Sequence, residues 1–341
     1  MTDSAKNIAV LDDRLDRLIN IDLGQRGVEH LYAAARSKQG GSLVGAAADL
    51  LDRIAPGDTV IMTSGSVTRS WLSPHIAEND GPAGLAAIAR ALSLAKRANL
   101  VVLAEDTLLA PITLILAVAG LTALPLEQAK IANREGSLAA VTLQPFTTDT
   151  AAAPSAASAL LDELAPTLLF STERIGRNAE GVYCNMRGRD NGMGRSRIDH
   201  VFDEAMRRGT PTVAVGDGGN EIGMGLVAEA VRSHVKFGDQ RVGGGAGIGA
   251  ETGADVLVTA AVSNWGCYAI AAALAARRRN ASLLHSPAME RALLNRGTEV
   301  GLINSVDGII DANVDGIALS THVAIVELIQ AIVAPALNAM E

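Results

Sequence analysis

Residues 212–225, with the sequence T-V-A-V-G-D-G-G-N-E-I-G-M-G, constrain the fold of this chain more than any other segment. Small and β-branched apolar residues run directly into glycines, which permit positive φ angles and close approach of a ligand to the backbone. The pattern predicts a buried strand over 212–215, a glycine turn and a helix over 222–231. Because open α/β sheets bind ligands at the carboxyl ends of their strands, we expect functional groups in this turn.

The turn also carries charged and amide side chains. Asp217 and Glu221 contribute two carboxylates and Asn220 an amide, next to Gly218 and Gly219. A phosphate-binding loop would avoid this negative charge, so the turn favours the binding of a cation or an amine, or proton transfer. The alternative is a tight strand-to-helix connection in which Asp217 or Asn220 caps the helix.

Short apolar strands alternate with helices along the whole chain, which is typical of right-handed βαβ units and a parallel sheet. The fold class predicted is α/β, a mostly parallel sheet with helices on both faces in a Rossmann-like three-layer arrangement. We expect one domain over 1–341, with two subdomains as the alternative and a surface loop or linker at 147–158. Strands are predicted at 58–63, 100–104, 138–143, 167–171, 212–215 and 255–259, and helices at 42–54, 81–95, 107–119, 126–134, 154–164, 198–208, 222–231 and 265–277.

Composition limits the class of protein. The 341 residues are 48% hydrophobic, and 29 basic against 37 acidic residues give a net charge of −8. This charge argues against a nucleic-acid partner, which requires a concentrated basic surface. Cys184 and Cys267 lack metal or redox spacing, which suits a reducing compartment. The acidic N-terminal segment has no signal-peptide core, and the apolar run 108–126 contains prolines and a glycine, so we expect a cytoplasmic protein without a membrane span.

Polar side chains also follow the first predicted strand. It leads to Ser64 and Gly65, and then to Glu78 and Asp80 just before the next helix. Asp80 has the position of an N-cap for that helix, which would be a structural role. Glu78 has no such role, so a carboxylate pair here suits a metal ion or acid–base catalysis.

Two further strand ends carry polar groups. The strand over 167–171 leads to Arg174, Asn185 and Arg187, of which the arginines suit a carboxylate ligand; the alternative for this loop is a solvated surface. The strand over 255–259 leads to Ser263 and Asn264 at the start of a helix. Four strand ends thus bring polar groups to one edge of one sheet, which predicts a single small-molecule site.

The segment 245–250, G-A-G-I-G-A, matches a dinucleotide-binding pattern. No convincing strand precedes it and no acidic residue closes a βαβ unit at the required distance. We therefore expect a flexible glycine-rich loop, in the role of a lid, and no nucleotide. A nucleotide-dependent oxidoreductase is the alternative that rests on this segment alone.

Seven segments in order resemble one family: 21–27, 78–84, 173–177, 183–188, 216–225, 262–266 and 285–290. The runs G-D-G-G-N-E-I-G-M-G and V-S-N-W-G are the most specific of them. The chain resembles the C-terminal domain of the D-glutamate cyclase family and its stand-alone bacterial relatives over about residues 20–325.

The resemblance implies conversion of D-glutamate to 5-oxo-D-proline with loss of water. The catalytic residues expected are Asp217, Glu221 and Glu78, with Asp217 or Glu221 accepting the ammonium proton. A divalent cation (Mg²⁺, Mn²⁺ or Ca²⁺) would be held by the carboxylates of Glu78, Asp80, Asp217 and Glu221. The residues expected to bind the substrate are Ser64, Gly65, Arg174, Asn185, Arg187, Gly218, Gly219, Asn220, Ser263 and Asn264.

Other functions stay open at this point. The same groups would also serve a metal-dependent hydrolase of a related cyclic amide or lactone. A protein that binds a small carboxylate or amino acid without catalysis is the alternative of another class. The apolar C-terminal segment 323–337 makes a homodimer a reasonable expectation.

Overall fold

The computed structural model describes residues 3–65 and 67–338. A parallel sheet lies between two layers of helices, as the alternation of strands and helices predicted. The strands are β1 (Thr59–Ser64), β2 (Asn99–Ala104), β3 (Thr122–Ala123), β4 (Ala140–Pro145), β5 (Leu168–Thr172), β6 (Thr212–Gly216) and β7 (Val256–Thr259). The helices are α1 (Asp3–Ile19), α2 (Val28–Gln39), α3 (Leu43–Asp52), α4 (Pro82–Lys96), α5 (Leu109–Val118), α6 (Leu126–Glu135), α7 (Ala153–Leu164), α8 (Asp199–Arg208), α9 (Ala228–His234), α10 (Ser263–Arg278), α11 (Pro287–Glu299) and α12 (Leu319–Asn338).

The seven strands are all parallel and lie in the order β3-β4-β2-β1-β5-β6-β7. From β1 the chain adds β2, β3 and β4 on one side, with β4 between β2 and β3, and then returns to place β5 on the other side of β1. The strand order therefore reverses between β1 and β5. In doubly wound sheets a ligand crevice opens at such a switch point, outside the carboxyl ends of the strands.

Alternate residues of the strands face opposite layers. Val60 and Met62 of β1 join the large core with α3, α4 and α10, whereas Ile61 packs with α7 and α8 on the other face. Both faces are covered, so the strands are apolar throughout rather than alternating. This confirms the α/β fold class.

The helix was predicted to begin at residue 222, and this start is wrong, because α9 begins only at Ala228. The backbone amides of Ile222 and Gly223 donate to carbonyls of Arg174 and Thr252 in neighbouring loops. Gly223 also has φ +101, outside the helical region. These contacts keep the glycine turn open and fix it to its neighbours. At 147–158 the irregular segment is shorter than expected, since α7 begins at Ala153.

The terminal helices α1, α2 and α12 complete the layer that contains α10. Helix α12 is long and apolar enough, by length and composition, to cross a membrane, a property that the core helices of soluble proteins share. Val326 and Ile329 are buried on one of its faces, whereas Leu328 is half exposed. The homodimer expected from this apolar segment stays a prediction.

Candidate active site

A cavity of about 270 Å³ opens at the carboxyl edge of the sheet, next to the switch point between β1 and β5. Its wall comes from the loops that follow β1, β5 and β6 and from the loops that precede α2 and α12. The residues that line it are Arg26, Thr68, Arg69, Trp71, Glu78, Glu173, Ile175, Asn185, Met186, Arg187, Asn191, Asp217, Asn220, Ser305, Val306 and Asp315.

Arg26 is one of three arginines that line the cavity, with Arg69 and Arg187, and it is paired with two carboxylates. One Nη2 atom lies 2.6 Å from the Asp217 carboxylate and 3.1 Å from that of Asp315, and it also donates to the Ala261 carbonyl. The loop between α1 and α2 brings it there, and Asp22 accepts the Arg26 backbone amide at 3.0 Å. Arg26 neutralises part of the negative charge of the site.

Carboxyl groups surround Arg26. Glu78, Glu173, Asp217 and Asp315 line the cavity. Burial, followed by the nearby Asp315 carboxylate, raises the pKa of Glu78 to about 8. The same two causes raise the pKa of Asp80, which lies just behind the cavity wall, to about 7. Near neutral pH the site therefore holds carboxyl groups that can both take up and release a proton.

The other carboxyl groups of the cavity wall differ in the direction of their pKa shift. Burial raises the pKa of Asp217 well above its ordinary value, although Arg26 opposes the shift. Burial also disfavours ionised Asp315, but the Arg26 charge and hydrogen bonds outweigh it and lower the pKa of Asp315. Burial and the adjacent Asp217 raise the pKa of Glu173 well above its ordinary value. The cluster therefore shares protons among its members.

Glu221 closes the glycine turn. Its two carboxylate oxygens accept the backbone amides of Gly218 at 2.9 Å and Gly219 at 2.7 Å. A Cβ atom at Gly218 would lie 2.6 Å from the Met186 sulfur, and Gly219 has φ +105, so both positions require glycine. These three residues lie behind the cavity wall, where they hold Asp217 at the end of β6.

Asp80 and Asn264 cap each other's helices. Asp80 accepts the backbone amides of Ser263 at 2.8 Å and Asn264 at 2.9 Å, at the start of α10. Asn264 accepts the amides of Gly81 and Gly84 at the start of α4, at 3.1 and 2.6 Å. Asp80 is thus a cap, as its position suggested, but for α10 and not for α4. Asn264 faces these amides and does not line the cavity.

Glu173 follows β5 with φ +53, which is unusual for a residue with a side chain. Ser263 donates from its hydroxyl to the Glu173 carboxylate at 2.5 Å. A Cβ at Gly65 would lie 3.0 Å from the Glu173 Cγ, so the glycine makes room for this side chain. Ser263 and Gly65 therefore position Glu173 and, like Ser64, are not part of the cavity wall.

Arg174 does not fit the expectation that it binds a substrate carboxylate. Its guanidinium is fully buried and pairs with both oxygens of Glu105, at 2.8 and 2.6 Å, and with the Ser196 carbonyl. The arginine's planar fork is already occupied by a carboxylate of the protein itself. Arg174 is therefore placed as a structural residue beside the site.

Three predicted polar residues do line the cavity. Asn220 donates to the Cys184 carbonyl at 2.7 Å, and Arg187, on the exposed rim, donates to the Val306 carbonyl at 2.7 Å. Asn185 accepts the backbone amide of Arg187 at 2.9 Å and so shapes the rim loop.

The backbone amide of Val242, in the glycine-rich region, donates to the Gly188 carbonyl, which places that irregular segment against the same rim loop.

Two groups of carboxylates have ligand atoms within 4.8 Å of one another, close enough to hold one metal ion. One consists of Asp80, Asp217 and Asp315, and the other of Glu173, Asp217 and Glu221. Of the four ligands predicted, Asp217 belongs to both groups, Asp80 and Glu221 to one each, and Glu78 to neither. Their hard oxygen donors fit Mg²⁺, Mn²⁺ or Ca²⁺.

The structure thus brings together Glu78, Asp217, Asn185, Asn220 and Arg187 in one cavity, with the other predicted residues behind its wall or away from it. The cavity residues that the prediction lacked include Arg26, Glu173 and Asp315. Arg26 and Glu173 stand in the segments 21–27 and 173–177, which carried the family resemblance. Asp315 lies in a loop with no comparable signal.

The region around this cavity also matches known proteins. A family described as "D-glutamate cyclase-like, C-terminal" matches residues 15–330, nearly the whole chain. The chain belongs to this family. The chain is also similar to the human protein "D-glutamate cyclase, mitochondrial", to which it is 32% identical over 267 residues. That match covers 76% of this chain but only 38% of the human protein, so the chain spans well under half of its relative.

Among solved structures, a short-chain dehydrogenase/reductase from Serratia marcescens matches with a TM-score of 0.24, 14% identity, and coverage of 48% of this chain and 57% of the other. The protein gox2181 matches with a TM-score of 0.28, 16% identity, and coverage of 54% and 67%. Scores this low carry no argument about fold or function.

Proposed function

We propose that this protein cyclises D-glutamate to 5-oxo-D-proline and water. The observation that carries the proposal is the cavity itself, which places a cluster of proton-sharing carboxyl groups around Arg26 inside the region that matches the family. The human relative, named D-glutamate cyclase, supports the same reaction. An ammonium group suits the acidic wall, and the cavity's arginines suit carboxylates.

The reaction has a simple proton balance. The amine nitrogen forms a bond to the carbon of the γ-carboxyl group, and one oxygen of that group leaves as water. The ammonium loses two protons, and both are needed to convert the departing oxygen into water. The site must therefore carry protons from nitrogen to oxygen, and it needs no net acid or base from outside.

Asp217 and Glu78 are placed to carry these protons, because both line the cavity and burial raises the pKa of each. The pKa of Glu78, near 8, allows it to hold or release a proton close to neutral pH. Glu221 is less suited to this role, since both of its oxygens accept backbone amides of the glycine turn.

A divalent cation fits the same cluster, and we propose that Asp80, Asp217 and Asp315 hold it. Six buried or half-buried carboxyl groups lie in or behind the cavity wall, and a cation would balance the charge of those that are ionised. A bound cation would polarise the γ-carboxyl group toward attack.

The test is incubation of the purified protein with D-glutamate, with L-glutamate as control, and detection of 5-oxoproline by chiral chromatography. Each reaction is run with Mg²⁺ or Mn²⁺ and again with a chelator. Formation of 5-oxoproline from the D-isomer supports the proposal. Hydrolysis of 5-oxo-D-proline alone would identify a hydrolase, and binding of D-glutamate without turnover would identify a binding protein.

A further inference from the structure

Arg69 lines the cavity with hydrogen-bonding capacity that it does not use. Its Nη2 atom lies 3.5 Å from the Ser305 carbonyl, which is a long contact, and its buried Nη1 atom has no partner in the described part of the chain. Within residues 3–65 and 67–338, no carboxylate pairs with it inside 4.0 Å. Arg26, by contrast, is already paired with Asp217 and Asp315.

The backbone at Arg69 is held in an unfavourable conformation. Its φ of +50 lies in the left-handed region, which costs on the order of 1 kcal/mol for a residue other than glycine. The buried side chain of Asn191 fixes the chain on both sides, accepting the Ser70 amide at 2.9 Å and donating to the Val67 carbonyl at 3.1 Å. Strain held in this way by surrounding structure is frequent at functional sites.

The charges of the substrate decide what Arg69 can bind. The γ-carboxyl group must lose an oxygen during the reaction. A permanent cation bound to its carboxylate form would stabilise the substrate before the reaction and so raise the barrier, which argues against Arg69 as the partner of this group. The α-carboxylate keeps its charge throughout the reaction, so a guanidinium that is always protonated suits it. Arg187 is less suited, because it is exposed on the rim and donates to the Val306 carbonyl.

We propose that Arg69 binds the α-carboxylate of the substrate and so sets the ring-closing geometry of the amine and the γ-carboxyl carbon. This inference rests on the proposed cyclisation of D-glutamate. It assigns a substrate-binding residue that the sequence pattern did not indicate.

The test compares D-glutamate with its α-amide, D-isoglutamine, which retains the amine and the γ-carboxylate and can still cyclise. Values of kcat and KM are measured for both compounds with the wild-type protein and with Arg69→Met. Arg69→Met should lower kcat/KM for D-glutamate about 10- to 100-fold, mainly through KM, as expected for loss of a charged hydrogen-bonded pair. For D-isoglutamine it should change kcat/KM less than about threefold, because that compound lacks the charge.

Arg97→Met is the matched control, since Arg97 also has a left-handed φ of +50 but ends α4 at the opposite edge of the sheet. Arg97→Met should leave kcat/KM unchanged for both substrates. The assignment would be overturned if Arg69→Met lowered kcat/KM equally for both substrates. It would also be overturned if Arg187→Met, and not Arg69→Met, lowered kcat/KM for D-glutamate alone. In both cases the cyclase function would stand. Absence of cyclisation of D-glutamate by the wild type would overturn both. If Arg69→Met does not fold, the same two substrates are compared with Arg69→Lys. Lysine keeps the positive charge but lacks the planar pair of guanidinium donors, so it should also lower kcat/KM for D-glutamate more than for D-isoglutamine.

Discussion

The buried Glu78 carboxyl should make the fold less stable as the pH rises. Its pKa is raised from 4.5 to about 8 in the folded protein, so the native state keeps a proton that the unfolded state releases. The contribution of this protonated carboxyl to the free energy of unfolding is fully present below about pH 4.5 and is lost as the pH rises toward 8. Between pH 5 and pH 7 the loss is on the order of 3 kcal/mol in all.

Glu78→Gln should remove this part of the pH dependence, because the amide stays neutral at every pH. The assay is urea unfolding of both proteins at pH 5 and pH 7 in the presence of a chelator, so that no cation neutralises the cluster. The variant should lose about 3 kcal/mol less than the wild type between the two pH values. Glu127→Gln is the control, because Glu127 is largely exposed and paired with Lys130. Identical pH dependence in Glu78→Gln and the wild type would refute the reasoning.

Three further outcomes follow from the contacts of the site. Arg174→Met should destabilise the fold by about 3–5 kcal/mol, because it leaves the buried Glu105 carboxylate unpaired, and addition of Glu105→Gln should restore part of the loss in urea unfolding. Mn²⁺ or Mg²⁺ should raise the melting temperature of the wild type but not of Asp315→Asn, and an equal rise in both would remove Asp315 from the proposed cation site. Asp80→Ala should cost about 1–2 kcal/mol through loss of the α10 cap, and no change in unfolding would contradict that role.

The sheet could be predicted because its strands are buried on both faces and are bounded by clear turn residues. The start of the helix predicted over 222–231 could not, because Ile222 and Gly223 belong to a loop fixed by tertiary hydrogen bonds and a 3-10 turn precedes α9. Apolar spacing does not reveal that the Ile222 and Gly223 amides are already used by distant carbonyls. Tertiary contacts of this kind override local propensity.

For the site, the glycine turn predicted one residue of the cavity wall, because Asp217 stands at the end of a central strand near the switch point. The partner of Asp217 could not be predicted, since Arg26 is 191 residues away along the chain. Arg174 had the chemistry to bind a carboxylate, but only the fold shows that Glu105 already occupies its guanidinium. Residue type indicates which groups can react, whereas packing decides which of them remain free to do so.

The most direct test of the account is the rate of 5-oxo-D-proline formation by Asp217→Asn, measured together with its unfolding on the same preparation. Asparagine keeps the shape of the side chain, and Asp315 continues to pair with Arg26, so the variant should stay folded. The loss of the carboxylate should lower kcat by about 10²-fold or more. A folded Asp217→Asn protein that cyclises D-glutamate at the wild-type rate would contradict the central claim that this cavity carries out the reaction.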